Sequence, residues 1–363
     1  MRSSMSVIPA ATATTRSPAH SVGSLVALPI ALLDRGRLAW LRALGPLAPA
    51  LMRSRELRVA LAASIGIALA LALTAVAPLW MLALGPVLLG VPHAASDVRY
   101  LVTRPGLHRS PRFWLMVALP LVALTATVDV RWGLAAIVGG ALAGRGAWTR
   151  RLAVASIGAL LLALAWDHTY GAALFAAHAH NFVALAMWLA WRRRATWLHL
   201  IPLAALALGC ALIASGALDA IVMASEGWAA TPGGTGAWYH LASIAPGLDD
   251  PWGPRLVLLF AFAQSVHYTI WIRLVPEEDR ARETPRTFAA SLRAWRQDSG
   301  TLVVALAMLL SVAVALWALV DLAGAREGYL RGVISHGYLE LAIASWWLVE
   351  GRALRTDPRA RLR

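Results

Sequence analysis

The chain has 363 residues, 59% of them hydrophobic and only 14% charged, with a mean hydropathy of +0.63. That excludes an ordinary soluble domain and predicts an all-α, polytopic integral membrane bundle. The formal net charge is +14 and every basic side chain is arginine; these lie in short connections between apolar runs, which reads as membrane topology and not as a nucleic-acid surface.

Residues 1–24 are small and polar, and are predicted to be a disordered tail. Residues 25–56 mix Leu and Ala with Arg35, Arg37, Arg42 and Arg53, and carry Trp40, the pattern of an amphipathic helix lying in the membrane interface. The bundle is predicted over 57–351. A span needs about 20 apolar residues, fewer when sheltered. Ten are expected, at 58–77, 79–102, 113–128, 131–145, 152–166, 169–191, 197–217, 255–274, 300–320 and 331–350.

Arginines cluster before the first span, then at 104–112, 145–151, 192–194 and 280–296, and again after 351. These are alternate connections. The intervening ones, such as Ala77–Trp80 and Asp321–Gly328, are poorer in arginine. Ten spans with both termini cytoplasmic satisfy the positive-inside rule at every connection. The outer loop 218–254 is rich in Gly, Pro and Trp and reads as a cover over the outer mouth. Residues 352–363 form a basic cytoplasmic tail. The lone Cys210 sits in an apolar run, so neither a disulfide framework nor a thiolate metal site is expected.

Ionisable residues inside spans are rare and face the bundle interior. Of ten histidines, His93, His178, His180, His267 and His336 fall within predicted spans. Those four spans all run from outside to inside. At about 1.5 Å per residue, His93 and His267 lie roughly 20 Å deep, His178 and His180 roughly 15 Å, and His336 roughly 8–12 Å, with Glu340 one turn deeper. Asp97 follows His93 by four residues and Glu340 follows His336 by four, so each carboxylate shares a helix face with a histidine. Such a carboxylate is a second ligand or an orienting partner. Tyr268 is a polar neighbour at the same depth. His178 and His180 point roughly 200° apart on a helix, so one of them is structural; His178 is the one expected to face the site. His168, His199 and His240 are placed at membrane edges or in the outer loop.

Several imidazoles with carboxylates in a dry pocket are suited to a transition metal, with non-haem Fe(II) the best match and Zn a lesser one. A haem held by two histidines leaves the others unexplained. The stretch GVPHAASD at 90–97 resembles the G-x-P-H-G-x-x-D signature of the Brp/Blh family of bacterial membrane proteins, with Ala94 in place of the second glycine. That family is all-helical and polytopic and includes β-carotene-cleaving dioxygenases that bind iron through intramembrane histidines. The resemblance implies an iron-ligand role for His93, a partner role for Asp97, and a bacterial inner-membrane location. The expected activity is that of a membrane oxygenase acting on a lipid-soluble substrate such as a carotenoid, isoprenoid or acyl chain. A proton-coupled transporter using the same residues as a relay and a haem-binding electron carrier remain alternatives.

Overall fold

The computed structural model describes residues 23–352; the expected tail 1–24 and the basic tail 352–363 lie almost wholly outside them. Every regular element among the described residues is helical. Six helices are long and apolar enough to cross a bilayer. They are α3 (Arg55–Val76), α4 (Pro78–Thr103), α8 (Thr169–Trp191), α9 (Trp197–Ala214), α12 (Trp252–Asp279) and α14 (Thr301–Val320), where α1 is Gly23–Ala43 and α2 Leu47–Arg53. The other four expected spans are helices of fewer residues. They are α5 (Pro111–Thr127), α6 (Val130–Ala143), α7 (Trp148–Leu164) and α16 (Ser335–Glu350). α14 leaves Leu302, Leu306, Leu309, Leu316 and Leu319 exposed, and α3 leaves Leu61, Ile65, Leu69 and Leu73 exposed. Apolar helices with outward-facing leucines need a hydrocarbon surround.

The predicted loop 321–328 is instead the start of a helix, α15 (Leu322–Gly332). Asp321 caps it, its side chain accepting from the Gly324 N–H at 2.8 Å. Ala325 and Tyr329 then form an inward stripe. α15 packs on α4 and α14 and stops at Val333, and α16 begins two residues later. The expected tenth span is therefore a broken helix, and His336 sits at the break. Between α9 and α12, the loop 218–254 holds α10 (Asp219–Ala224) and α11 (Ala237–Ile244), and α11 packs on α12.

At the opposite end, which we call lower, the sequence VPEED ends α12. Glu277, Glu278 and Asp279 lie beyond the expected span 255–274, and all three are buried. Arginines from across the bundle enclose them. Arg58 of α3 reaches Glu277 at 2.7 and 3.1 Å, Arg273 reaches it at 2.9 Å, and Arg280 also contacts it. Arg104 meets Asp279 at 2.6 Å, and His199 meets Glu278 at 3.3 Å. The Arg193 backbone N–H donates to Glu278 at 3.1 Å. His199 is thus a buried network member and not an edge residue. The same arginines that signal topology in the sequence also lock the helix ends together.

The expected interfacial segment 25–56 is two helices, α1 and α2, separated at Gly45, where φ is +52°. Asp34 of α1 accepts from the N–H groups of Phe288 (2.6 Å) and Ala289 (3.2 Å). It thereby caps α13 (Phe288–Ser299), whose Asp298 receives Arg99 at 2.7 Å and Arg104 at 2.8 Å. Trp40 and several α1 leucines remain exposed, as an interfacial helix requires.

Candidate metal centre

α4, α8 and α12 meet near mid-length with the start of α16. Pro92 in α4 lacks the N–H that would bond the Leu88 carbonyl, which loosens the helix one residue before His93. A π-helical turn follows at Val98–Thr103, and α12 carries another at Ile270–Leu274, three residues past His267. Such turns rotate the flanking side chains and recur at functional sites. In π register the Trp271 carbonyl looks to the nitrogen of Pro276, which bears no hydrogen; Ser96 Oγ donates to that carbonyl instead, at 2.6 Å. One residue of the GVPHAASD stretch therefore ties α4 to α12 beside their histidines.

Four imidazoles form a closed ring. Their centroids are 4.7 Å apart for His93–His267, 5.0 Å for His267–His180, 5.3 Å for His180–His336 and 4.9 Å for His336–His93. The Nε2 atoms of His93 and His267 face each other at 2.7 Å. Asp97 lies 3.2 Å from His93 Nε2, and Glu340 lies 3.3 Å from His267 Nε2 and 3.9 Å from His93 Nε2. One ligand atom from each of His93, His267, His336 and Glu340 falls within 4.8 Å of all the others. Asp97 and Glu340 are 0% exposed, and His93 and His267 are 1% exposed.

Two histidines have their tautomer set by the backbone. His336 Nδ1 donates to the Val333 carbonyl at 2.7 Å, and His180 Nδ1 donates to Ala176 at 3.3 Å. Each is left with a bare Nε2, the state a metal ligand needs. Among the described residues no arginine lies in the cluster, and the polar groups that face the carboxylates of Asp97 and Glu340 are imidazole nitrogens and, at Glu340, the Trp271 indole. Two buried carboxylates among bare imidazole nitrogens call for a cation. The donor set, nitrogen with carboxylate oxygen and no sulfur, fits a first-row divalent metal.

His178 does not join the ring, contrary to expectation. Its Nε2 donates to the Ile244 carbonyl of α11 at 3.0 Å, and its ring packs on Phe260. His180 takes the inner position because α8 is rotated by its contacts with α12 and α16, where Gly337 leaves space for the His180 ring. Tyr268 packs its ring against His93 at 5.2 Å.

A cavity of about 390 Å³ leads from His93, His180 and His336 toward α11. Leu174, Leu330, Val333, Ile334 and Leu341 give it apolar walls, and Tyr268 and Tyr329 line it too. Tyr239, Ser243 and Arg326 form a polar stretch near α11 that the sequence does not mark. His240, expected to be solvated, is fully buried beside Tyr239. Burial, and then the Arg326 charge, push His240 down to about 4, so it is neutral at physiological pH.

Gly90 underlies the Tyr329 ring so closely that a Cβ would overlap it. Gly90→Ala is expected to cost about 1–3 kcal/mol through overpacking. Gly36→Ala in α1, where nothing lies within 4 Å of the added carbon, is expected to be neutral or stabilising by up to about 1 kcal/mol. Denaturant unfolding in detergent checks both.

Comparison of the chain with protein-family models, with curated proteins and with solved structures finds no match.

Proposed function

We propose that this protein is an integral membrane metalloenzyme, a non-haem Fe(II) oxygenase acting on a lipid-soluble substrate such as a carotenoid, isoprenoid or acyl chain. The observation that carries this reading is the convergence of four imidazoles and two buried carboxylates at the end of an apolar cavity. The topology is ten spans with both termini cytoplasmic. The four shorter helices count as spans in this reading: α6 is sheltered by its neighbours, α5 and α7 turn leucines outward as α3 and α14 do, and α16 is preceded by α15. The GVPHAASD resemblance to the Brp/Blh family agrees with iron at His93 and with a bacterial inner-membrane location.

In this reading His93, His267, His336 and Glu340 hold the ion, with His180 closing the ring. Asp97, which lies 3.2 Å from the same His93 Nε2, adds a second carboxylate beside the ion. A redox-active iron would supply dioxygen activation. The protein contributes walls that exclude water and a channel that admits an apolar chain. Imidazole rings at these separations favour a single ion over a haem, whose two axial rings stand on opposite faces of a macrocycle. The cavity's lining residues lie from the cluster toward α11, and none comes from the lower end. A one-sided approach favours a closed active site over a two-sided carrier path.

Protein loaded anaerobically with Fe(II) should consume dioxygen when β-carotene or a shorter polyene is added, and His267→Ala should not. Equal uptake by both proteins, or none with any lipophilic substrate, contradicts the oxygenase reading.

A further inference from the structure

Arg326 is 7% exposed and lines the cavity. Its Nε donates to the Leu82 carbonyl at 2.9 Å, and one terminal nitrogen donates to the Tyr239 hydroxyl at 3.2 Å. The second terminal nitrogen has no hydrogen-bond partner among the described residues. Among the described residues no carboxylate lies within ion-pair distance of Arg326, whereas Arg58, Arg104 and Arg280 at the lower end all have one. The adjacent His240 is neutral, and Glu327 is exposed and accepts a hydrogen bond from the Tyr239 hydroxyl at 2.9 Å. A guanidinium removed from water without a counter-ion is costly, and a cavity is where a ligand's charge can meet it.

The placement matters as much as the charge. Leu82 precedes His93 by eleven residues on α4, so the guanidinium stands about 16 Å along the helix axis from the histidine cluster. The cavity of about 390 Å³ is lined by Arg326 and by His93, His180 and His336, so a chain anchored at the guanidinium would run toward the histidines.

We infer that Arg326, held in place by the Leu82 carbonyl and the Tyr239 hydroxyl, is a head-group site for a lipid monocarboxylate. The carboxylate is held near α11, and its chain runs down the cavity toward the metal centre. A carboxylate matches one planar guanidinium; a phosphate monoester carries more charge than a single arginine offsets. Arg326 would then set how far along the chain the reacting carbon lies. The inference rests on the lipid-oxygenase reading for what the deep end of the cavity does.

The test is equilibrium binding of radiolabelled palmitic acid and of hexadecanol, which differ only at the head. It uses the full-length protein in a non-ionic detergent, beside Arg326→Gln and Arg326→Lys, with metal content measured on the same samples. Wild type should prefer the acid by about tenfold or more, the worth of a charge-assisted bond. Arg326→Gln should bind both alike, with its metal retained, and Arg326→Lys should keep part of the preference. Equal binding of acid and alcohol by wild type, or an unchanged preference in Arg326→Gln, overturns the head-group site. If that happens in protein that holds its metal, the metal-centre reading stands without it. Metal-free protein that still prefers the acid supports the head-group site and counts against the metalloenzyme.

Discussion

His93→Ala is expected to lower bound metal from one ion per chain to background. His93 Nε2 is the one donor that touches His267, Asp97 and Glu340 together, at 2.7, 3.2 and 3.9 Å. Its removal takes a ligand and also the ring edge on which His336 and Tyr268 rest. Loss of an orienting partner alone costs about 10–100-fold in affinity, and loss of a ligand costs more. Binding and folding are linked: an ion present at about 1,000 times its Kd stabilises the fold by about 4 kcal/mol. Chelation should therefore lower the unfolding temperature of wild type and leave that of His93→Ala unchanged. His178→Ala should keep its metal, because His178 Nε2 is occupied by the Ile244 carbonyl. Metal loss in His178→Ala with retention in His180→Ala would reverse the assignment.

The largest effect on stability should come from the lower end. Glu277→Ala leaves Arg58, Arg273 and Arg280 without their shared carboxylate, and is expected to cost about 3–5 kcal/mol. Arg58 is buried and ties α2 to α3 through the Leu51, Met52 and Ser54 carbonyls, so Arg58→Ala should cost a similar amount. The double variant should cost much less than the sum, since each removal abolishes the same pairing. Glu283→Ala, which breaks an exposed pair with Arg194, should cost less than about 1 kcal/mol. Reversible unfolding in mixed micelles measures all four. Equal, small losses for Glu277→Ala and Glu283→Ala would show that the buried network does not hold the helix ends.

Much of the centre was legible in the sequence. Helical repeat places Asp97 on the His93 face and Glu340 on the His336 face, and residue counting from the span ends puts the histidines of four helices roughly 8–20 Å below one surface. The choice between His178 and His180 was not legible. It depends on the rotation of α8, which tertiary contacts with α12 and α16 decide. The broken helix at 322–350 was hidden because Gly324 and Gly328 fell in the expected connection 321–328, while the packing of Tyr329 on Gly90 is a contact distant in sequence. The burial of the acidic run at 277–279 was not legible, since nothing local shows that distant arginines enclose it. Arg326 was counted as a topological charge. Only its place in the cavity marks it as something more.

Metal analysis by plasma mass spectrometry, with X-ray absorption at the iron edge, on detergent-purified wild type reconstituted anaerobically with Fe(II), tests the central claim most directly. The account predicts one iron per chain, bound by nitrogen and oxygen at about 2.0–2.2 Å with no sulfur, and no Soret band. Folded protein that takes up no metal under those conditions would contradict it.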